Sequence, residues 1–166
     1  MKIILFLSLL IWVIPGFGKV KIQKPRSQHV TAFAIIVDEM TLEKTGGAVE
    51  AYRDALEADG LSTYIVSGNW KNPDEVKAEI IKLNKRKPVL EGVVFIGDIP
   101  VALIRNAQHM TTAFKMNEDE FPFPESSVPS DRFYDDLHLT FDFICQDSVN
   151  TSHFYYKLRE DSPQQL

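Results

Sequence analysis

A single cysteine, Cys145, stands among 166 residues. It cannot form an internal disulfide, and with no second cysteine and no tight His/Cys cluster the chain offers neither a disulfide scaffold nor a thiolate zinc site. Basic residues are also short: 18 Lys and Arg against 23 Asp and Glu leave a formal charge of -5. That balance argues against nucleic acid as a partner. Glycine is sparse, and no glycine-rich segment leads into a Lys-Ser/Thr pair, so there is no phosphate loop. No Gly-x-Ser-x-Gly elbow occurs either, which removes the serine hydrolases built on one. What remains is 45% hydrophobic, 11% aromatic and 25% charged, the balance of one ordinary folded domain held by apolar packing.

Charge is nearly missing from the first 18 residues, where Lys2 is the only charged side chain. An apolar stretch from Ile3 to Ile14, broken only by Ser8, leads to Pro15-Gly16-Phe17-Gly18 and the basic Lys19. This is the three-part plan of a secretory signal peptide. As a helix the stretch would span roughly 18 Å, short of the ~30 Å hydrocarbon core, and Gly16 and Gly18 suit a small-x-small cleavage site. The mature chain is expected to begin near Lys19, with a charge of -6 once Lys2 is removed from the -5 total. The alternative is an uncleaved anchor or a buried strand; with no cysteine at the cleavage position, a lipoprotein anchor is excluded. The expectation is an exported protein (periplasmic, cell-surface or extracellular) with no stable membrane span after cleavage.

Residues 19–31 read as an extended leader, basic through Lys19, Lys21, Lys24 and Arg26. Such a leader can touch anionic surfaces or be a solvated tail. From Ala32 to Val37 the run is continuously apolar and β-prone, as in a strand buried on both faces. After Gly46-Gly47, Val49, Tyr52 and Leu56 recur at helical spacing with Ala48, Ala51 and Ala55 beside them, and Gly60 suits a left-handed helix end. Leu61 to Val66 gives a second strand. Asn72-Pro73-Asp74-Glu75 then supplies an N-cap, a proline at the first helical position and two acids on the helix dipole. Val76, Ile80, Ile81 and Leu83 share one face of that helix; Lys82, Lys85, Arg86 and Lys87 load its end, and Pro88 stops it. Val93 to Ile96 is a third strand. The order strand, helix, strand, helix, strand is an α/β signature, and the expected architecture for 32–166 is a three-layer sandwich with a mainly parallel sheet. Further on, Ile99 to Met110 reads as a short helix or ordered loop and Asn117 to Pro129 as a long surface loop. Leu137 to Phe143 alternates like a half-wet strand, and His153 to Leu158 is a short extended or helical piece.

Loops at the carboxyl ends of parallel strands converge, so Asp38-Glu39 and Gly97-Asp98 are expected as neighbours. Carboxylates meeting there can bind a cation, or can simply cap local N–H groups. Cys145 with His29, His109, His138 or His153 would make a thiol nucleophile, yet nothing around it suggests a depressed pKa, and a small buried hydrophobe is the other reading. Asp131, Asp135 and Asp136 lie within six residues. Such spacing can ligate calcium through loop oxygens, although the glycine and closing glutamate of an EF-hand loop are missing; the alternative has Asp131 fixing the turn through backbone amides. No other cofactor is called for.

The run Gly92 to Pro100, Gly-Val-Val-Phe-Ile-Gly-Asp-Ile-Pro, followed by Val128 to Asp136, Val-Pro-Ser-Asp-Arg-Phe-Tyr-Asp-Asp, resembles the gingipain-type (clan CD, caspase-like) cysteine peptidases of exported Bacteroidetes proteins. The likeness runs from about Phe33 to Pro163. In that family a strand ending in a Gly-Asp turn and a Ser-Asp-x-x-Tyr segment belong to the first, non-catalytic α/β subdomain. The matching residues here are Gly97, Asp98, Pro100, Ser130, Asp131 and Tyr134, of mainly structural weight. The family's catalytic histidine and cysteine lie in a second half, in segments this sequence does not contain, and no catalytic residue is carried over. The resemblance implies an exported protein like the first half of such a peptidase, inactive alone and partnered by a missing catalytic half or another exported protein. The alternative is an exported interaction module using an acidic crevice or an exposed apolar face.

Overall fold

The computed structural model describes residues 20–107 and 116–162. The signal-peptide reading of 1–18 and the candidate base His109 lie outside the described residues. The chain is mixed α/β, with two mixed four-stranded sheets and four helices among the described residues.

The first sheet has the order β1-β3-β2-β4. Its strands are β1 (Lys21–Gln23), β2 (Thr31–Asp38), β3 (Leu61–Gly68) and β4 (Val89–Ile96). Strands β3 and β4 flank β2 in parallel, and β1 closes the β3 edge antiparallel. Alternation along these strands serves two cores. Ile35, Val37 and Ile65, with Val94 and Ile96, pack on Leu42, Val49 and Leu56 of α1 (Glu39–Ala58). Ala34, Ile36, Tyr64 and Val66, with Val93 and Phe95, face α2 (Pro73–Asn84) and the second sheet. Burial on both faces explains why β2 reads as an unbroken apolar run.

Helix α1 begins at Glu39, well before Gly46-Gly47, which lie inside it. The Asp38 side chain caps it by accepting from Thr41 N at 2.9 Å. Each interior glycine costs about 0.5–1 kcal/mol relative to alanine, a penalty that apolar packing of α1 on the sheet outweighs. Tyr52, expected on the buried stripe, is exposed; Arg53 and Glu57 are buried instead. Their cover is the leader. Arg26 forks onto Asp54 at 2.7 and 2.9 Å and reaches Glu50 at 3.1 Å. The Glu57 carboxylate accepts from Arg26 N, Ser27 N and Ser27 Oγ, while Arg53 donates to Gln23 Oε1. The leader is thus an edge strand and a strap pinned to α1, not a solvated tail. Helix α2 starts as its sequence specifies, with Asn72 Oδ1 accepting from Glu75 N at 2.9 Å and Pro73 in the first position.

Four residues after β4 the chain enters the second sheet, of order β6-β5-β8-β7. Its strands are β5 (Val101–Arg105), β6 (Val128–Pro129), β7 (Phe141–Gln146) and β8 (His153–Leu158). Strand β8 runs parallel to β5 and antiparallel to β7. The segment from Ile99, expected as a helix or loop, therefore holds a strand, because Ala102, Leu103 and Ile104 are buried in succession. The long loop ending at Pro129 contains the short helix α3 (Phe123–Ser126) and β6. The half-wet strand expected over 137–143 begins only at Phe141. Before it the backbone turns, Leu139 N donating to Asp136 O, which buries Leu139 in the core. The one-turn helix α4 (Arg132–Asp135) precedes that turn.

Candidate functional site at the carboxyl end of the parallel strands

Strands β2 and β4 end side by side, and Asp38 ties helix α1 to the turn that leaves β4. One carboxylate oxygen caps α1; the other accepts from Asp98 N at 2.8 Å. Burial pushes the Asp38 carboxyl up, but hydrogen bonds from Thr41, Asp98 and Met40 outweigh it and hold the group below the usual carboxylate range. Gly97 is dictated by this contact. It sits at φ +87, and a Cβ there would lie 1.9 Å from Asp38 Oδ2 and 2.4 Å from Thr41 Oγ1. So Asp38 and the Gly97-Asp98 turn are neighbours, as the strand order implies, and the Asp38 carboxylate is spent on backbone N–H groups. Glu39 turns aside to Lys21 at 3.1 Å.

The second motif segment meets the first. Tyr134 on α4 donates its hydroxyl to Pro100 O at 2.5 Å, and its ring packs 4.8 Å from that of Phe95 on β4. Ser130 N donates to Ala102 O, and Ser130 Oγ accepts from Arg132 N. Gly97, Pro100, Ser130, Asp131 and Tyr134 line one small cavity of about 200 Å³ with Phe95, Ile99, Val101, Ala102 and Pro129. Asp98 is exposed beside it. Burial pushes the Tyr134 hydroxyl far up, and the charges of Asp74 and Asp131 add to this. A phenol so held is a neutral hydrogen-bond donor, suited to fixing a backbone carbonyl rather than to moving a proton.

Behind this cavity α2 and the second sheet are joined by polar groups that sequence reasoning missed. Tyr156 donates to Asp74 Oδ2 at 2.6 Å. Burial, and then the Asp74 carboxylate, pushes its hydroxyl far up as well. The Lys77 ammonium donates to Leu139 O and lies 4.9 Å from the ring centres of both Phe133 and Phe141. Burial lowers its pKa despite Asp74, Asp136 and Asp135 nearby. At the opposite corner Trp70 donates its indole N–H to Val37 O at 3.1 Å. Lys77 stands on the polar-reading face of α2, so periodicity alone gives no signal for its role; Trp70, the one tryptophan beyond the first 18 residues, does stand out in a polar loop.

Of the three candidate calcium ligands only Asp131 lines this cavity; Asp135, Asp136 and the remaining candidates are not gathered there. Asp136 accepts from His138 N and faces Arg132 at 3.9 Å, while the backbone carbonyl of Asp131, not its carboxylate, receives Tyr134 N and Asp135 N. Among the described residues no group of three His, Cys, Asp or Glu is placed to hold a metal ion. Cys145 lies on β7 opposite Tyr155, and no hydrogen bond joins it to a histidine among the described residues. His153 Nε2 lies 3.0 Å from Asn150 Nδ2, and His29 Nε2 lies 3.0 Å from Ser27 Oγ, at the far end of the parallel strands. No helix among the described residues is long and apolar enough to cross a membrane. No family model, curated protein or solved structure matches the chain.

Proposed function

We propose that this chain is an exported protein equivalent to the non-catalytic first half of a gingipain-like, caspase-like cysteine peptidase, without peptidase activity of its own. On this reading its architecture is the first subdomain of a three-layer sandwich, and β3-β2-β4 is the start of a mainly parallel sheet. One observation carries the reading. The Gly97-to-Pro100 turn and the Ser130-to-Tyr134 segment, the two stretches that resemble the family, line one cavity and are joined by the Tyr134 hydroxyl on Pro100 O. Support also comes from β4, an eight-residue strand that is paired on one side only among the described residues. Parallel sheets rarely leave such an edge uncovered, and a catalytic half would continue pairing there.

The test combines a fluorogenic Arg/Lys peptide assay, with and without calcium, with size-exclusion chromatography and light scattering. No turnover is expected in either condition. Thiol-dependent turnover abolished by Cys145→Ala would overturn the reading. Genomic sequence beyond the Leu166 codon is a second test: an adjoining frame encoding a Gly-His-Gly segment and a later cysteine supports a separated catalytic half. A second reading, an interaction module, is favoured by β7, an edge strand among the described residues, whose Phe143 and Ile144 are 57% and 38% exposed. A monomer that stays soluble at high concentration would speak against that surface.

A further inference from the structure

At the opposite end of the parallel strands, where β2, β3 and β4 begin, lies a cleft of about 820 Å³. It brings together two basic segments some sixty residues apart in sequence: the leader, through Lys24 and His29, and the end of α2, through Arg86 and Lys87. No Asp or Glu lines it among the described residues. Lys24, Arg86 and Lys87 are exposed and have no ion-pair partner there, although Lys21, Arg26 and Lys82 all do. On a chain of net charge -5, three unpaired cations around one concavity are a local inversion of sign.

Compensation of the α2 dipole is one use for basic residues at this point, but it concerns only about half a unit of charge. Lys82 and Lys85 already stand at that end. The remaining cations face a cleft with an apolar wall of Pro25, Tyr64, Pro88 and Val30, the last 90% exposed. Tyr64, which lines the cleft, is only 8% exposed. The Ser27 hydroxyl donates to Glu57 Oε2, so its lone pair is left to receive His29 Nε2–H. That fixes the imidazole at the cleft wall, while Ser62 Oγ holds the His29 backbone N–H at 2.7 Å.

We propose that this cleft binds an organic phosphate monoester, the phosphate among Lys24, Arg86 and Lys87 and the carbon body against Tyr64, Pro25 and Pro88. A monoester carries a charge of about -1.5 to -2 at neutral pH and three acceptor oxygens, which matches three cations better than a single carboxylate does. Arginine supplies a planar fork and the lysines supply point charges. The volume lies in the range of small-molecule sites, roughly 300–1,000 Å³. The cleft is at the far end of the sheet from the Gly97 cavity, so it stands or falls independently of the peptidase-like reading.

The test is calorimetric titration of the full chain with phenyl phosphate, with inorganic phosphate and a Glu-rich peptide as comparisons, and cosedimentation with phosphatidylcholine vesicles containing phosphatidic acid. Phenyl phosphate is expected to bind saturably and more tightly than inorganic phosphate, and to weaken as salt is raised. The combined substitution Lys24→Gln, Arg86→Gln and Lys87→Gln should weaken it at least about tenfold (~1.4 kcal/mol), while Lys157→Gln on β8 leaves it unchanged. All three positions are exposed, so the fold should survive; circular dichroism melting checks this. Binding to the vesicles as well would place the ester on a lipid headgroup, and binding of phenyl phosphate alone would place it on a soluble molecule; both support the site. Absence of saturable binding, an unaffected triple variant, inorganic phosphate binding equally well, or a preference for the peptide would overturn it.

Discussion

Replacing Gly97 by alanine should be among the most damaging single changes in this protein. Three costs coincide at the site. An L-residue at φ +87 pays about 1–2 kcal/mol for a left-handed backbone. Its Cβ would stand 1.9 Å from Asp38 Oδ2, so the carboxylate must leave, breaking its bond to Asp98 N at about 1.5–3 kcal/mol for a charged acceptor. Swinging Asp38 away also loosens the cap of α1, worth about 0.5–2 kcal/mol. Together these give a loss of about 3–7 kcal/mol, which at 2–4 °C per kcal/mol lowers the melting temperature by roughly 6–28 °C. Thermal and urea unfolding followed by circular dichroism would measure it. A double-mutant cycle separates the costs: in an Asp38→Ala background the carboxylate is already gone, so Gly97→Ala should cost less than in the native protein. The Thr41 hydroxyl, 2.4 Å from the same Cβ, keeps part of the penalty. A loss below about 1 kcal/mol for Gly97→Ala alone, or strict additivity in the cycle, would refute the reasoning.

Gly46→Ala and Gly47→Ala should act in the opposite direction, each raising stability by about 0.5–1 kcal/mol, since both lie inside α1 and an added Cβ meets nothing within 4 Å; a drop in melting temperature would contradict the helix as described. Tyr134→Phe leaves Pro100 O without its partner and should cost about 1–3 kcal/mol, read as a shift of the urea midpoint with an unchanged slope. For Glu57, burial acts upward, but hydrogen bonds from Ser27 Oγ and the amides of Arg26 and Ser27 prevail and hold its pKa below the ordinary 4.5. Its contribution is therefore complete above pH 4.5 and is lost as pH falls through the lower folded value. Stability measured against pH should fall less steeply below 4.5 in Glu57→Gln than in the native protein; parallel curves would remove the strap's role.

Local chemistry made the first half of the fold legible. The apolar runs of β2 and β4, the Asn72-Pro73 start of α2 and Gly60 at φ +95 after α1 each arise from signals within a few residues. Where legibility failed, the deciding partner was distant. Gly46-Gly47 suggests a helix start, but the Asp38 cap and the sheet beneath fix the start earlier. Arg53 and Glu57 look like a wet face until the leader folds over them. Strand β5 is hidden because its neighbours, β6 and β8, come more than twenty residues later. At the candidate site the neighbouring ends of β2 and β4 could be anticipated from strand order. That the Asp38 carboxylate would serve the Asp98 amide, and that Tyr134 would reach Pro100, could not, since both contacts span more than thirty residues.

The Trp70 contact carries a practical consequence. The chain has two tryptophans, and Trp12 lies in the segment expected to be removed; a chain cleaved near Lys19 keeps one indole. Trp70 is 8% exposed and anchored to the end of β2 through Val37 O. Its emission would therefore report a single place, the carboxyl end of the parallel strands, without any label. Loss of order there would appear as a red shift, while events in the basic cleft at the other end would leave the spectrum unchanged, so one cuvette can tell the two ends of the sheet apart.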